Sequence, residues 1–345
     1  MKKTNNIRHL EREDIQTYLK EQREPAFREK QISEWLWKKS ATSFDEMTNL
    51  SVPLRKKLSR DFVTDAISVS TMQESRDGTM KYAFKLHDGH FVEGVLIPSG
   101  KRMTACVSSQ IGCSLACSFC ATAAIDLKRN LNFDEIYDQV AIINKNAQEH
   151  YSRPLTNIVF MGMGEPLLNY KQVTLGIAKI TSENGLGISP SRITVSTAGI
   201  AKMIRRLGDE EVKFGLALSL HAANDVKRSK IMSINDSNNL EALAGAMQHY
   251  FEKTNNWITF EYVLLKDFND QMKDADELAR FCRKVPCKIN LIEYNPIDNG
   301  IFQRSKVSQA EAFQQRLGEH KLICNIRRSR GQDIDAACGQ LANKN

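Results

Sequence analysis

Cys113, Cys117 and Cys120 stand within eight residues, spaced C-x3-C-x2-C. Thiolates that close together can converge on one metal centre. A zinc site wants a fourth ligand at short spacing, yet His87 and His90 precede by more than twenty residues. An iron–sulfur cubane takes four ligands. Three local cysteines would leave one iron open, so the rest of the chain is read by asking what serves that iron.

The loop needs a frame to hold it. From about Thr104 onward, strand and helix patterns alternate. Strands are expected at 104–108, 157–161, 192–197, 213–220, 257–264, 288–294 and 322–327. Helices fit between them at 133–146, 170–182, 201–208, 240–254, 272–282 and 308–318. In the first helix Phe133, Ile136, Val140 and Ile143 share one face. Repeated β-then-α units predict an α/β fold with a parallel sheet and helices outside. Six or so units are fewer than the eight of a closed barrel, so an open, partial (β/α)6 barrel is expected. Ligands of such folds gather at the carboxyl ends of the strands. The cysteine loop follows the first strand, and polar groups end the others: Gly164 and Glu165 in Gly162-Met163-Gly164-Glu165-Pro166, then Ser196, then Ser219-Leu220-His221, then Asn295. Each alone is as readily a turn or cap residue. Together they form a ring around one site.

Ahead of the barrel, residues 1–60 read as a basic helical accessory domain, and 61–100 as a β-hairpin extension turning at Asp88-Gly89. Pro25, Ser43 with Glu46, and Pro53 mark helix starts. Residues 101–345 form the barrel and a tail. The 345 residues suffice for about two domains of roughly 150 residues. Residues 1–60 hold 14 Lys and Arg against 9 Asp and Glu, and residues 301–345 hold 8 against 4. Net charges of +5 and +4 at the two ends, around a middle of about −2, suggest a polyanion such as RNA or, equally, charge kept for solubility. Phe27, Trp35 and Trp37 are expected in the helical unit's core, with Arg327, Arg328 and Arg330 free to steer RNA. No apolar run is long enough for a transmembrane helix, and no apolar segment follows the basic start at residues 1–6, so no membrane association and a cytoplasmic location are expected. In a reducing compartment the eight cysteines read as ligands or catalysts rather than structural disulfides.

The cysteine spacing after a first barrel strand, with Phe119 before the last cysteine, resembles the radical S-adenosylmethionine superfamily. The resemblance implies a [4Fe–4S] cluster on Cys113, Cys117 and Cys120, whose open iron takes S-adenosylmethionine. It also implies that Gly164, Glu165, Ser196, Ser219, Leu220, His221 and Asn295 surround that cofactor. Spacing alone leaves Cys106 a buried strand cysteine, Cys338 an incidental tail thiol and Glu93 a solvent-facing strand carboxylate.

Two further motifs narrow the reading. Cys106-Val107-Ser108-Ser109-Gln110 and the tail from Asp333 through Ala337-Cys338-Gly339-Gln340-Leu341 resemble the bacterial RNA adenine methyltransferases of the RlmN/Cfr group, over nearly the whole chain. Adenine carbon 2 lies between two ring nitrogens and is too electron-poor to attack a sulfonium methyl. The route this resemblance implies uses two S-adenosylmethionine molecules per turnover. Cys338 takes a methyl, loses a hydrogen from it to the 5′-deoxyadenosyl radical, and adds to the base. Glu93 is implied as the base that removes the ring proton, and Cys106 as the thiol that resolves the protein–RNA adduct by forming a disulfide with Cys338. Gly164-Glu165-Pro166-Leu167 resembles the carbon-2 members, since carbon-8 members of the Cfr type carry alanine in place of Pro166. The implied partners are 23S rRNA at the peptidyl-transferase centre, tRNA beside the anticodon, and an electron donor such as flavodoxin, with the protein a monomer. The competing readings are a radical enzyme acting on a small molecule, which the basic ends disfavour, and a non-catalytic RNA-binding or zinc protein.

Overall fold

In the computed structural model, which describes residues 5–343, the chain opens with helices α1 (Arg12–Glu21), α2 (Arg28–Ser33) and α3 (Val52–Asp61). The basic start at residues 1–4 and residues 344–345 of the expected barrel domain lie outside the described residues. Local chemistry sets these helix ends. Ser51 accepts from the Leu54 amide ahead of Pro53, and Ser43 and Glu46 form a reciprocal capping box on a 3-10 turn. After α2 the helix widens into a π turn at Glu34–Lys38, which turns Leu36 and Trp37 into the core. Phe27, expected in that core, is 56% exposed, with the Arg28 guanidinium over its ring. It sits where the chain enters α2, before any helical face can bury it.

Strands β1 (Ser68–Glu74), β2 (Met80–Lys85), β3 (Phe91–Ser99) and β4 (Arg102–Cys106) follow as an antiparallel meander. The short strands β5 (Gln110–Ile111) and β6 (Arg129–Asn130) pair across the base of the cysteine loop. Then come α4 (Phe133–Tyr151), β7 (Asn157–Phe160), α5 (Tyr170–Thr181), β8 (Ile193–Thr197), α6 (Ala201–Asp209), β9 (Gly215–Ser219), α7 (Asp225–Ile231) and α8 (Leu240–Thr254). The chain finishes with β10 (Ile258–Leu264), α9 (Met272–Cys282), β11 (Cys287–Glu293), α10 (Val307–Glu319), β12 (Cys324–Arg327) and the tail.

Among the described residues ten strands make one sheet in the order β1-β2-β3-β4-β7-β8-β9-β10-β11-β12. From β4 to β12 every neighbouring pair is parallel. That gives seven parallel strands with α4, α5, α6, α8, α9 and α10 as the six crossovers, open between its two ends. The hairpin extends the sheet, because β3 pairs directly with β4 and carries it outward. The α4 helix is capped by Asn132, whose amide is met by Glu135, and stops at Ser152 in the left-handed conformation. Its Ile136, Val140 and Ile143 are fully buried against the sheet.

One buried ionic contact seats the N-terminal unit on α4. The Arg8 guanidinium reaches both oxygens of Asp138, at 2.8 and 2.6 Å, and lies over the Trp37 ring. Burial opposes the Arg8 charge, but Asp138 and Asp134 outweigh it and hold its pKa above the usual value. His9 pairs with Asp134 at 3.1 Å. Cys282 and Cys287 are buried in the core, as expected, while Cys324 is half-buried. Among the described residues no helix is long and apolar enough to cross a membrane.

Candidate active site

A single cavity opens at the carboxyl ends of the parallel strands, and Cys113, Cys117 and Cys120 all line it. The loop that carries them is tied down on several sides. The Cys113 amide donates to Ile125 O at 3.1 Å, and Ser118 N donates to Ile231 O at 3.1 Å. Gly112, at φ +76°, starts the loop, where a Cβ would stand 2.3 Å from Asp126 O. Burial pushes the Cys113 thiol up to about 11. Burial, then Cys120 and Cys113 beside it, push the Cys117 thiol higher still. The thiols of Cys113 and Cys117, which resist ionising by themselves, suit a cationic iron–sulfur cluster, which stabilises thiolates. Among the described residues no three His, Cys, Asp or Glu side chains close on a point for one ion. A cubane does not need that, since each cysteine binds a different iron.

The other cavity-lining groups come from strand ends. Gly162 and Gly164 follow β7. Gly164 has φ +92°, and a Cβ there would meet Gln110 Cβ at 2.4 Å, so only glycine fits the turn. Glu165 is buried; its carboxylate accepts from Leu167 N at 3.0 Å and from Ala198 N at 2.7 Å. Burial raises its pKa, and those amides work against the rise. It thus joins the ends of β7 and β8 as well as facing the cavity. Ser196 and Ser219, on adjacent strands, have hydroxyls 3.4 Å apart. His221 has a left-handed backbone, and its Nδ1 accepts from Val263 N at 3.0 Å. Burial and Arg228 lower its pKa to about 3, so it is a neutral imidazole, set edge-on to Phe119. Leu220, expected beside the cofactor, is fully buried and does not line the cavity. Its carbonyl accepts from Arg228 instead.

The tail is docked over this cavity. Gly339 O accepts from Ala121 N, and Leu341 O from Thr122 Oγ1, each at 2.7 Å. Asn295, expected to bind cofactor, lines the cavity and donates to Cys338 O at 3.2 Å, with Arg304 holding its own oxygen. Cys338 lines the cavity with the three loop cysteines. The residue is exposed, yet protein crowds its sulfur. The crowding, with Glu261 and Cys120, raises its thiol to about 11, against a lowering by Arg327.

Cys106 ends β4, 8% exposed, outside the cavity wall. Burial first, then the neighbouring Cys338, raise its thiol to about 12. Glu93 is also outside the wall, and it is not solvent-facing: it is 1% exposed. Both faces of β3 are covered there, one oxygen lies 3.4 Å from Lys81 Nζ, and the other accepts from the tail amides of Ala342 and Asn343 at 2.8 and 3.1 Å.

Two residues escaped the sequence reading. Glu261 lines the cavity from β10, 2% exposed, bonded to Asn290 and 3.5 Å from Arg327. A lone carboxylate inside the apolar run 258–264 was its readable signal. Arg228 on α7 is fully buried and donates to the carbonyls of Ala198, Ser219 and Leu220, tying the ends of β8 and β9. Nothing in its surroundings in sequence marks it. Arg327, Arg328 and Arg330, expected to steer RNA, each lie within ion-pair reach of a carboxylate: Glu261, Glu293 and Asp77.

Comparison with known proteins adds two family matches. Residues 5–63 match the ribosomal RNA large subunit methyltransferase N-terminal domain, and residues 107–281 match the radical SAM superfamily. The chain is 57% identical to the probable dual-specificity RNA methyltransferase RlmN of Cytophaga hutchinsonii, over 98% of this chain and 93% of that one. Its identity to the protein of the same name from Bacillus licheniformis is 41%, over 98% and 94%. A crystal structure of a radical SAM methyltransferase from Sphaerobacter thermophilus superposes with a TM-score of 0.93 at 38% identity, covering 98% of this chain and 99% of that one.

Proposed function

Since the chain belongs to the RlmN family of radical S-adenosylmethionine RNA methyltransferases, we propose that it methylates carbon 2 of an adenosine in 23S rRNA and of the adenosine beside the anticodon in tRNA, carrying the methyl on Cys338. Members of the superfamily bind a [4Fe–4S] cluster and S-adenosylmethionine; together these supply a methyl group and a 5′-deoxyadenosyl radical. Here Cys113, Cys117 and Cys120 would hold the cluster, with Gly164, Glu165, Ser196, Ser219, His221 and Asn295 around the S-adenosylmethionine.

One observation carries this reading: Cys338 opens into the same cavity as the three loop cysteines, with Cys106 beside it. The Cys338 thiolate accepts a methyl by displacement and later gives up one hydrogen atom from it. The carbon radical left on Cys338 adds to the electron-poor ring carbon. Glu93 takes the ring proton, and the excess electron leaves the adduct for the electron-transfer chain, flavodoxin being a suitable partner. The Cys106 thiolate then attacks the Cys338 sulfur; the S–S bond forms, the C–S bond breaks with its electron pair left on the methylene carbon, a proton from solvent completes the methyl group, and methylated RNA leaves. The target base has to leave its stack to meet a sulfur at this depth. The N-terminal unit supplies positive charge for the phosphates, and the enzyme acts as a monomer.

Anaerobically reconstituted protein tests this against an rRNA fragment and a tRNA. Mass spectrometry of the tail peptide is expected to find a methyl on Cys338, and digested RNA to yield 2-methyladenosine. Cys338→Ala is expected to abolish transfer, and Cys106→Ala to leave RNA covalently attached. Finding 8-methyladenosine would move the reaction to carbon 8. A Cys106→Ala protein that turns over without attached RNA would remove the resolving role.

A further inference from the structure

Glu93 faces a contradiction as a base. It stands outside the cavity, and both its oxygens are occupied while the tail is docked. Oε2 is held by two successive backbone amides, Ala342 and Asn343. Oε1 lies 3.4 Å from Lys81 Nζ, which is itself buried on the neighbouring strand. The Asn343 side chain adds a bond to Phe91 O at 2.8 Å, two residues away on the same strand. Such an arrangement suits an anchor, because an ionised carboxylate accepting two amides makes stronger bonds than a neutral acid does.

We propose that Glu93 is the latch of the tail and that Lys81 is a positioning residue which keeps the latch charged, so that the tail docks only while Glu93 carries no proton. The part that has the ring proton release the tail rests on the reading of Glu93 as the base; the latch itself rests on its contacts with the tail. The docked tail, with Cys338 in the cavity, is then the arrangement in which Cys338 is loaded. Access of RNA to Glu93 requires the last residues of the tail to lift away. The proton taken from the ring ends on Glu93, where it removes the charge that would re-seat the tail before Cys106 has resolved the adduct. Loss of that proton to solvent restores the latch. In the abstraction the ring C–H bond breaks as the O–H bond forms; in the release only the O–H bond breaks.

The groups that face Glu93 are few. Lys81 on β2 is the only side chain paired with it by charge among the described residues. From other elements its surroundings are the Met163 sulfur, which its amide meets at 3.4 Å, the Ser108 hydroxyl on its carbonyl, and the tail amides.

Amide hydrogen exchange of tail residues 340–343, corrected for intrinsic rates at each pH, tests this on full-length protein without RNA. In the wild type, protection is expected to fall as pH is lowered through the ionisation of Glu93. Glu93→Gln is expected to exchange about tenfold faster near neutral pH, with no pH step, as a neutral acceptor holds amides less well. Lys81→Met is expected to move the step to higher pH, and Lys81→Arg to restore it. Ala342→Pro removes one latch donor at a half-buried position and is expected to speed exchange at Asn343 in a protein whose amides ahead of the tail are unchanged. Wild-type protection in Glu93→Gln or in Ala342→Pro, or an unmoved step in Lys81→Met, would overturn the latch. RNA methylation by Glu93→Gln is a separate readout: normal transfer with a loosened tail would discard the base and keep the latch.

Discussion

At the scale of single residues, the two thiols of the proposed reaction differ in how readily they ionise. Cys106 is raised to about 12 by burial and by Cys338, so at neutral pH it is almost wholly a protonated thiol. Only the thiolate attacks sulfur, and its fraction grows tenfold per pH unit below the pKa. Resolution of a preformed Cys338–RNA adduct is therefore expected to speed up about tenfold from pH 7 to pH 8, in single-turnover release assays. A flat profile would mean that RNA binding has rebuilt the surroundings of Cys106. The same two cysteines mark what could be read from sequence. Their motif resemblance was specific, yet spacing alone could not say that a cysteine on the first barrel strand and one in the tail become neighbours. Glu93 was harder still. In Phe91-Val92-Glu93-Gly94-Val95 every second residue reads as outward, but the tail covers the outward face and buries the carboxylate.

At the scale of elements, the contact between the N-terminal unit and α4 depends on charges that have given up their water. Removing one partner leaves the other buried and alone, so Arg8→Ala is expected to cost about 3–5 kcal/mol, read by urea unfolding. His9 adds a smaller term with a defined sign. Its hydrogen bond to Asp134 raises its pKa above 6.5. The protonated form is the one that folding favours, so this stabilisation is complete below pH 6.5 and fades as pH rises through the folded value. His9 is partly exposed, so the effect is modest, and His9→Gln is expected to remove the slope in a pH series of unfolding midpoints. Most barrel elements were legible because helical and strand periods show wherever one face is apolar. Two were not. Every residue of β1 is exposed, so it has no buried face to betray it. Helix α7 is short and is fastened largely by the buried Arg228, a residue type that periodicity counts as surface.

At the scale of the whole molecule, a net charge of +7 with basic ends makes RNA binding an electrostatic event. Affinity for a target RNA is expected to fall linearly on a log–log plot against salt, with a slope of about −0.7 to −0.9 per phosphate neutralised, measured by fluorescence anisotropy. A slope near zero would return weight to a small-molecule substrate. Arg327, Arg328 and Arg330 contribute less than their charge suggests, being already paired with carboxylates. The overall architecture was readable from alternation of patterns, but its continuity was not. That the hairpin and the barrel share one sheet depends on β3 pairing with β4, a choice of neighbours no local pattern encodes.

The bonds from Gly339 and Leu341 to the residues just after Cys120 also set an order of manufacture. The carbonyl that covers Thr122 lies 219 positions further along the chain. During translation the three cysteines therefore emerge and can meet iron and sulfide long before their cover exists. At that stage the loop proposed to hold the cluster stands behind an open door, which the stretch of chain carrying Cys338 closes afterwards. A product of premature termination ahead of Gly339 would keep that door open, leaving its cysteine loop accessible to oxygen and chelators for as long as it survived.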